Sequence, residues 1–443
     1  MRPLWKNIRL STFQIIIYGH AGMILLGALL LMLPISSTSG QVTPFIDTLF
    51  TATSSACVTG LVVHDTGAYW SFFGTSVIII LIQIGGLGVV TTAVSATMFS
   101  GRKISLMQRS VLQESIAATQ VGGIVRLTSF ILRVTAICEI SGALLMFPVF
   151  AQDFGIIRGL GYSFFHSISA FCNAGFDLMG GKQEFSSLTS YVNQPVINIV
   201  IMLLIIIGGI GFLTWEDIKK NKFHFHNYRL QTKVVLVFTI ALIAVPALYF
   251  YFFELNGMSG SKRVFAALFQ AVTPRTAGFN TIDEASLSET GRMLTIVMML
   301  IGGSPGSTAG GMKTTTAAVL IASCIAVFRH MDHSNLYCRR LKQEVIRKAS
   351  AIFIMYITLF LGAAMIISRI ERLPLLSCMF ETASAIGTVG LTLGITPTLG
   401  TISKILLIFL MFFGRVGGLT MIYATVKRRP EVASYPQEDV TVG

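Results

Sequence analysis

Charged residues are scarce in this sequence. Asp, Glu, Lys and Arg together make up 12% of the 443 residues, whereas soluble domains carry roughly 25%. Apolar residues reach 53%, which leaves too little polar surface to cover a soluble globule. The composition therefore excludes a soluble enzyme or binding domain and indicates an integral membrane protein.

Motifs of catalysis, nucleotide binding and metal binding are also missing. The sequence contains no GxSxG, no HExxH, no phosphate-binding loop and no GxGxxG after a strand, and its histidines are scattered. The six cysteines, at positions 57, 138, 172, 324, 338 and 378, lack metal-ligand spacing and are interpreted as free thiols. We therefore predict a chain that is not an enzyme and binds no cofactor of its own.

Eight runs are long and apolar enough to cross a bilayer, because a helix needs about 20 residues to span roughly 30 Å of hydrocarbon. They lie at about 13–33, 74–98, 127–150, 196–214, 234–253, 293–328, 352–368 and 402–426. The first run lacks a small-residue cleavage site and is predicted to be a retained span. The predicted fold class is an all-α membrane protein with eight transmembrane helices.

Basic residues concentrate at alternate ends of these spans and give the chain a net charge of +13. The clusters lie at 2–9, 102–109, 219–233, 329–348 and 427–429. By the positive-inside rule both termini are cytoplasmic. Because the clusters alternate with spans, a lipid bilayer explains the charge better than a nucleic-acid-binding surface does.

Four similar blocks divide the chain into quarters. They read SSACVTGL (54–61), SAFCNAGF (169–176), AVTPRTAGF (271–279) and ASAIGTVGL (383–391). Each block contains a glycine followed by Leu or Phe, and a second echo lies in the span after each block: IGGLG (84–88), IGGIG (207–211), IGGSPG (301–306) and FGRVGG (413–418). Two echoes in register indicate an internal fourfold repeat.

A short helix candidate precedes the glycine of every block, at 44–55, 161–171, 261–272 and 374–385. At about 1.5 Å per residue each helix is roughly 18 Å long, which is too short to cross. We therefore predict four copies of span, re-entrant half-helix, filter loop and span around a pseudo-fourfold pore. The pore repeats cover 13–98, 127–214, 234–328 and 350–426, and the cytoplasmic segments cover 1–12, 99–126, 215–233, 329–349 and 427–443.

This arrangement has electrostatic consequences. A half-helix that enters from outside points its C-terminal end, with about half a unit of negative charge, at the membrane centre. Backbone carbonyl oxygens of an extended loop replace the water around a monovalent cation, and glycine permits the backbone conformations this requires. A divalent-selective filter would contain a ring of carboxylates, and an anion pore would contain a ring of basic residues. The four blocks contain neither.

With one glycine per filter loop and a broken third inner span, residues 13–426 resemble the Trk/Ktr/HKT superfamily of potassium transporters, and within it the membrane subunit of bacterial Ktr systems. The resemblance implies channel-like potassium uptake across the bacterial plasma membrane, with sodium dependence left open. It also implies a homodimer that docks onto a KtrA-like cytosolic ring of nucleotide-binding regulatory subunits. Segment 329–348 is either the docking site or a solvated basic face. The implied potassium-filter residues are Val58, Thr59, Gly60, Asn173, Ala174, Gly175, Thr276, Ala277, Gly278, Thr388, Val389 and Gly390.

The stretch IGGSPGSTAGGMKTTT (301–316) interrupts the third inner span. Irregular backbone at membrane depth needs a protein-lined or wet site, and Lys313 would place a positive charge near a cation path. The resemblance implies an intramembrane gate loop below the filter that Arg415 contacts, although a structural tether explains Arg415 nearly as well. Close helix packing through small residues is the alternative for the glycines, and it suffices for IGGLG and IGGIG. The predicted gate residues are Gly302, Gly303, Ser304, Pro305, Gly306, Gly310, Gly311, Lys313 and Arg415.

An alternating-access cation symporter is the competing interpretation of the repeats. Such carriers favour inverted repeats with a midplane site, whereas these four repeats run in parallel and suit a closed ring. Arg133 and Glu139 are six residues apart in the third span and do not share a helix face. We predict no functional role for them beyond a packing or lipid-edge pair.

Overall fold

The structure is a computed structural model that describes residues 11–100, 104–115, 123–181, 183–222, 224–425 and 438. The predicted segments 1–12 and 427–443 lie almost entirely outside these residues, as does part of the linker 99–126. Within the described residues the architecture is helical, and one short antiparallel hairpin joins β1 (Asn335–Leu336) to β2 (Arg339–Arg340).

The helices repeat the same order four times. In repeat 1 they are α1 (Thr12–Leu31), α2 (Phe45–Ala56), α3 (Thr66–Tyr69), α4 (Phe72–Leu87) and α5 (Val89–Phe99), followed by α6 (Leu106–Ser115) in the linker. Repeat 2 contains α7 (Ile124–Phe154), α8 (Ile156–Phe171), α9 (Pro195–Gly209) and α10 (Phe212–Asn221). Repeat 3 contains α11 (Leu230–Tyr249), extended by a π-helical turn (Phe250–Glu254), then α12 (Gly260–Val272), α13 (Glu289–Leu300) and α14 (Thr314–Phe328). Repeat 4 contains α15 (Gln343–Glu371), α16 (Leu375–Gly387), α17 (Thr401–Val416) and α18 (Gly418–Thr425).

The first helix of every repeat is an outer span. The four described helices long and apolar enough to cross a membrane on their own are Thr12–Leu31, Ile124–Phe154, Leu230–Glu254 and Gln343–Glu371. The last of them begins inside the predicted linker 329–349, because its first turns are polar and gave no apolar signal. The predicted all-α architecture of four repeats is confirmed.

The inner spans are bent or broken: the sequence predicts the break in repeat 3 but not the bends in the other three repeats. Three of them turn by 93°, 94° and 91°, at Gly88, Gly211 and Gly417, whose φ angles are 88°, 92° and 88°. These left-handed conformations suit glycine and end an α-helix. The inner span of repeat 3 is interrupted by an irregular loop between α13 and α14, at the stretch 301–316 where the sequence predicts a break.

The second helix of every repeat, a half-helix, is exposed in its first turn and buried toward its C-terminal end. Each half-helix places a phenylalanine nine or ten residues before the filter glycine: Phe50, Phe165, Phe269 and Phe380, all at most 6% exposed. Leu or Phe directly after the glycine is also buried in every repeat. This apolar packing fixes the half-helix ends and therefore the loops that follow them.

Candidate functional site

The four predicted filter loops share one backbone conformation. Two residues before each glycine, a non-glycine residue is left-handed: Val58, Asn173, Thr276 and Thr388 have φ of 57°, 59°, 68° and 51°. The glycines themselves, Gly60, Gly175, Gly278 and Gly390, have φ of 94°, 69°, 80° and 99°. A left-handed non-glycine residue costs about 1–3 kcal/mol and persists only where its surroundings impose it. The same strain in all four repeats identifies these loops as one constrained site.

A common hydrogen bond holds each loop to its half-helix. The amide N–H of the residue before the glycine donates to a carbonyl near the half-helix end, in the pairs Thr59–Ser54 (2.8 Å), Ala174–Ser169 (2.8 Å), Ala277–Thr273 (3.0 Å) and Val389–Ser384 (2.8 Å). The hydroxyls of these half-helix residues bind the loops as well. Ser54 and Ser384 accept from the N–H groups of Gly60 (3.1 Å) and Gly390 (2.9 Å). A Ser or Thr five or six residues before the glycine is common to the four blocks, but the pattern alone does not predict these contacts.

The four glycines close a ring in repeat order. A Cβ placed on each glycine would clash with the carbonyl oxygen of the residue before the next repeat's glycine. The pairs are Gly60 with Ala174 (2.5 Å), Gly175 with Ala277 (2.6 Å), Gly278 with Val389 (2.2 Å) and Gly390 with Thr59 (2.3 Å). All twelve predicted filter residues are buried, and the structure brings them together around one axis.

Polar half-helix side chains also hold the chain just beyond the predicted filter, although no sequence motif predicts their contacts. His166 Nε2 accepts from the N–H of Leu178 (3.4 Å). Glu381 accepts from the N–H of Leu393 (3.1 Å) and from the Thr396 hydroxyl (2.6 Å). In repeat 3 the Gln270 amide donates to the Glu284 carboxylate at 3.0 and 2.9 Å.

The predicted gate loop lies against repeats 2 and 4. The N–H groups of Ser304 and Thr308 donate to the carbonyl oxygens of Gly209 (3.0 Å) and Gly208 (3.2 Å) in repeat 2. The N–H of Gly311 donates to the carbonyl oxygen of Gly414 (3.2 Å) in repeat 4. Within the loop, Gly302 N–H donates to Met312 (2.8 Å), and Thr314 N–H donates to Gly303 (3.0 Å). These hydrogen bonds pair backbone groups that lack helical partners where the helix is broken. Buried backbone N–H and C=O groups need such partners.

Several loop glycines are needed for close approach or for a left-handed turn. A Cβ on Gly310 would lie 2.1 Å from the Thr388 hydroxyl, and one on Gly311 would lie 2.8 Å from the Gly387 carbonyl. Gly306 and Gly311 have φ of 65° and 67°. The loop therefore packs directly beneath filter 4.

Two cations hold the loop by its carbonyl oxygens. The Arg415 guanidinium donates to the carbonyl oxygen of Thr308 in the loop. It also donates to the carbonyl oxygens of Gly85 and Gly86 (3.0 Å) in repeat 1. The Lys313 ammonium donates to Ala309 (2.8 Å) and Gly310 (3.3 Å) of its own loop. The two predicted gate cations thus converge on one short stretch of backbone.

The other inner-span glycines pack under the half-helix ends. A Cβ on Gly85 would lie 2.1 Å from the carbonyl oxygen of Ala56, and one on Gly208 would lie 2.0 Å from that of Phe171. Close packing therefore accounts for part of IGGLG and IGGIG, and the last glycine of each motif makes the bend. Among the described residues, no group of His, Cys, Asp and Glu is placed to hold a metal ion.

Comparison with known proteins identifies the family and supports the fold. Residues 9–435 match the family described as TrkH, cation transport protein. The chain is 38% identical to the potassium/sodium uptake protein NtpJ of Enterococcus hirae, with 98% of each chain covered. It is 39% identical to the Ktr system potassium uptake protein B of Bacillus subtilis, with 99% of this chain and 98% of that protein covered. The crystal structure of the potassium transporter TrkH from Vibrio parahaemolyticus superposes with a TM-score of 0.75 at 18% identity, covering 95% of this chain and 86% of that one.

Proposed function

We propose that this chain, which belongs to the TrkH family of cation transport proteins, takes up potassium through a channel-like pore formed by its four repeats. The closed ring of glycine loops supports this function most directly, since such a ring surrounds one axis with backbone carbonyl oxygens. Relatives that match over nearly the full length are named for potassium or potassium/sodium uptake. Sodium therefore enters the proposal as a competing or coupled ion.

Selectivity in this proposal rests on a single ring. Four half-helix C-termini direct their negative ends toward it, and the carbonyl oxygens of Thr59, Ala174, Ala277 and Val389 replace the hydration shell of a monovalent cation. Because one glycine per repeat provides fewer successive sites than a potassium channel's TVGYG filter, potassium over sodium preference should be looser.

The loop between α13 and α14 acts as the gate. It is packed beneath filter 4 and tied to repeats 1, 2 and 4, so it obstructs the path below the ring until these contacts break. A cytosolic nucleotide-binding ring would break them from the side on which β1 and β2 are exposed, and the chain would work as a homodimer in the bacterial plasma membrane with both termini in the cytoplasm.

Rubidium and sodium flux into proteoliposomes that contain the purified chain tests this function, first alone and then with a regulatory ring. We expect rubidium entry that potassium competes for and that the ring increases. No rubidium flux in either condition would exclude potassium transport by this chain. Rubidium entry that requires sodium at a fixed ratio would select the alternating-access symporter instead.

A further inference from the structure

A basic cavity lies at the N-terminal end of α7, away from the filter and the gate loop. Its volume is about 850 Å³. Four cations from α6, α7 and α10 line it together with apolar side chains: Arg109, Arg126, Arg133 and Lys219. The positive-inside pattern places this end of α7 at the cytoplasmic face.

Among the residues that the structure describes, the cations of this cavity lack anionic partners. In the part of the chain that the structure describes, none of the four forms an ion pair. The Nε atom of Arg109 is buried and has no hydrogen-bond partner. Lys219 places its ammonium 4.9 Å from the centre of the Phe130 ring. Arg126, Arg133 and Lys219 are exposed, and like charges gathered without counter-charges repel one another and attract an anion.

The cavity continues into an apolar stripe along the lipid-facing side of α7. Arg126 and Arg133 are seven residues apart and therefore share a helix face. Ile137, Ile140 and Leu144 continue that face and are 66%, 49% and 59% exposed. At about 1.5 Å per residue the stripe from Arg133 to Leu144 is about 16 Å long, close to half of the roughly 30 Å hydrocarbon thickness.

Glu139 does not neutralise this site. Its carboxylate accepts from the Gln83 amide (3.3 Å) on the opposite, buried side of α7, and the helix separates it from Arg133. The predicted packing or lipid-edge pair of Arg133 and Glu139 therefore does not form, and Arg133 is left facing the cavity.

We propose that this cavity binds the phosphate headgroup of an anionic phospholipid from the cytoplasmic leaflet, whose acyl chains lie along Ile137, Ile140 and Leu144. Basic pockets between helices at this membrane level suit such headgroups. A soluble phosphate compound would use the cations but would leave the apolar stripe bare. The lipid would bridge α6, α7 and α10, which the cations alone push apart.

Native mass spectrometry of the purified full chain, titrated with phosphatidylglycerol and separately with phosphatidylcholine, tests the proposal. We expect tighter retention of phosphatidylglycerol, and binding at least about tenfold weaker in the Arg126→Gln/Arg133→Gln variant. Arg339→Gln/Arg340→Gln removes the same charge from the exposed β2 strand and should leave lipid binding unchanged. Equal weakening in both variants, or equal retention of the two lipids, would overturn the proposal.

Two further variants distinguish a bound lipid from a bound soluble anion, and a loss of lipid binding from a loss of folding. Leu144→Ser should weaken phosphatidylglycerol binding and should not change the affinity for inorganic phosphate. If inorganic phosphate displaces phosphatidylglycerol and Leu144→Ser has no effect, the site binds a soluble anion and the proposal is wrong. Arg126→Lys/Arg133→Lys keeps the charge and should retain the lipid; loss of binding there would indicate a structural role for the arginines.

Discussion

The side-chain hydroxyl of Thr308, in the gate loop, lies 3.1 Å from the amide oxygen of Asn173, in filter 2. The same hydroxyl lies 3.1 Å from the carbonyl oxygen of Phe171, at the end of half-helix α8. The Asn173 amide nitrogen in turn donates to the carbonyl of Arg275 in filter 3 (3.3 Å). Thr308 in the loop is therefore linked through the Asn173 side chain to filter 2 and to filter 3.

Thr308→Val should loosen both the gate and the filter. Valine keeps the shape of threonine and removes the hydroxyl, so the loop loses its polar contact with filter 2. Since such a hydrogen bond contributes about 1 kcal/mol, rubidium flux through the chain without its regulatory ring should rise severalfold. Potassium over sodium preference should fall, because Asn173 loses one of the contacts that hold its left-handed backbone.

Ser307→Ala is the matched control for that variant. The Ser307 hydroxyl donates to the carbonyl oxygen of Ser304 within the loop (2.7 Å) and has no other hydrogen bond among the described residues. Its removal should raise ring-free flux with no change in ion preference. If Thr308→Val changes flux while the ion preference stays at the wild-type value, the gate and the filter are not coupled through Asn173.

The sequence predicted the repeats, the half-helices and the glycine loops that follow them, because apolar periodicity and the two echoes recur in register. It did not predict that Val58, Asn173, Thr276 and Thr388 are left-handed, since propensity disfavours that conformation and only tertiary contacts impose it. The contacts of Glu381 and Gln270 join segments that no local pattern connects. The bends at Gly88, Gly211 and Gly417 were hidden because the apolar runs continue through them.

Gly278→Ser should lower potassium over sodium preference. Gly278 has φ 80°, and a Cβ there would lie 2.2 Å from the Val389 carbonyl oxygen, so the side chain forces filters 3 and 4 apart. We expect a loss of at least about tenfold, from left-handed strain of about 1–2 kcal/mol together with the clash. Competition of sodium against rubidium flux measures it. Gly257→Ser, where a Cβ meets no atom within 4 Å, is the control. Wild-type preference in Gly278→Ser would contradict the filter assignment.

Tags in exposed loops should report the orientation of the chain. Tags in 221–227 and 334–338 are expected to react only with cytosolic reagents, and tags in 182–187 only with external ones, because the basic clusters lie beside the first two segments. Labelling of intact and permeabilised cells with an impermeant reagent gives the answer. The opposite pattern would reverse the topology and the direction in which the half-helices enter.

Glu284 should make stability depend on pH. Burial raises the pKa of this carboxyl from 4.5 to about 8, in the loop beyond filter 3. Between these values the folded state holds a proton that the unfolded state has lost, so the free energy of unfolding falls as pH rises through this window. Glu284→Gln should remove that slope while keeping a partner for Gln270. The melting temperature of wild type and variant between pH 5 and 9 measures the difference.

Glu289→Gln is the control, since Glu289 lies exposed in the first turn of α13. It should follow the wild-type pH profile. A wild-type profile in Glu284→Gln as well would show that Glu284 is not protonated in the folded protein at neutral pH. Burial also raises the pKa of the Asp177 carboxyl, to about 7, so the variant-minus-wild-type difference isolates Glu284.

Arg415→Ala and Lys313→Ala should each raise ring-free rubidium flux. Arg415 ties the gate loop at Thr308 to repeat 1 at Gly86, and Lys313 holds the adjacent carbonyls of Ala309 and Gly310. Hydrogen bonds from charged groups contribute about 1.5–3 kcal/mol, so the loss of either tie should raise flux roughly tenfold. Lys313→Ala also removes a positive charge from beside the proposed cation path, where screening is weak.

The double variant distinguishes a gate from a packing motif. Both cations hold one stretch of backbone. The double variant should therefore raise ring-free rubidium flux by less than the product of the two single-variant increases, with a coupling energy of about 0.5–3 kcal/mol. Arg339→Ala, on the exposed hairpin, removes a charge outside the pore and should leave ring-free flux unchanged.

Deleting part of 304–314 should raise ring-free flux further still. If the deletion folds and dimerises normally while ring-free flux stays at its basal level, the loop is no gate. Close packing against Gly208, Gly209 and Gly414 then accounts for its glycines.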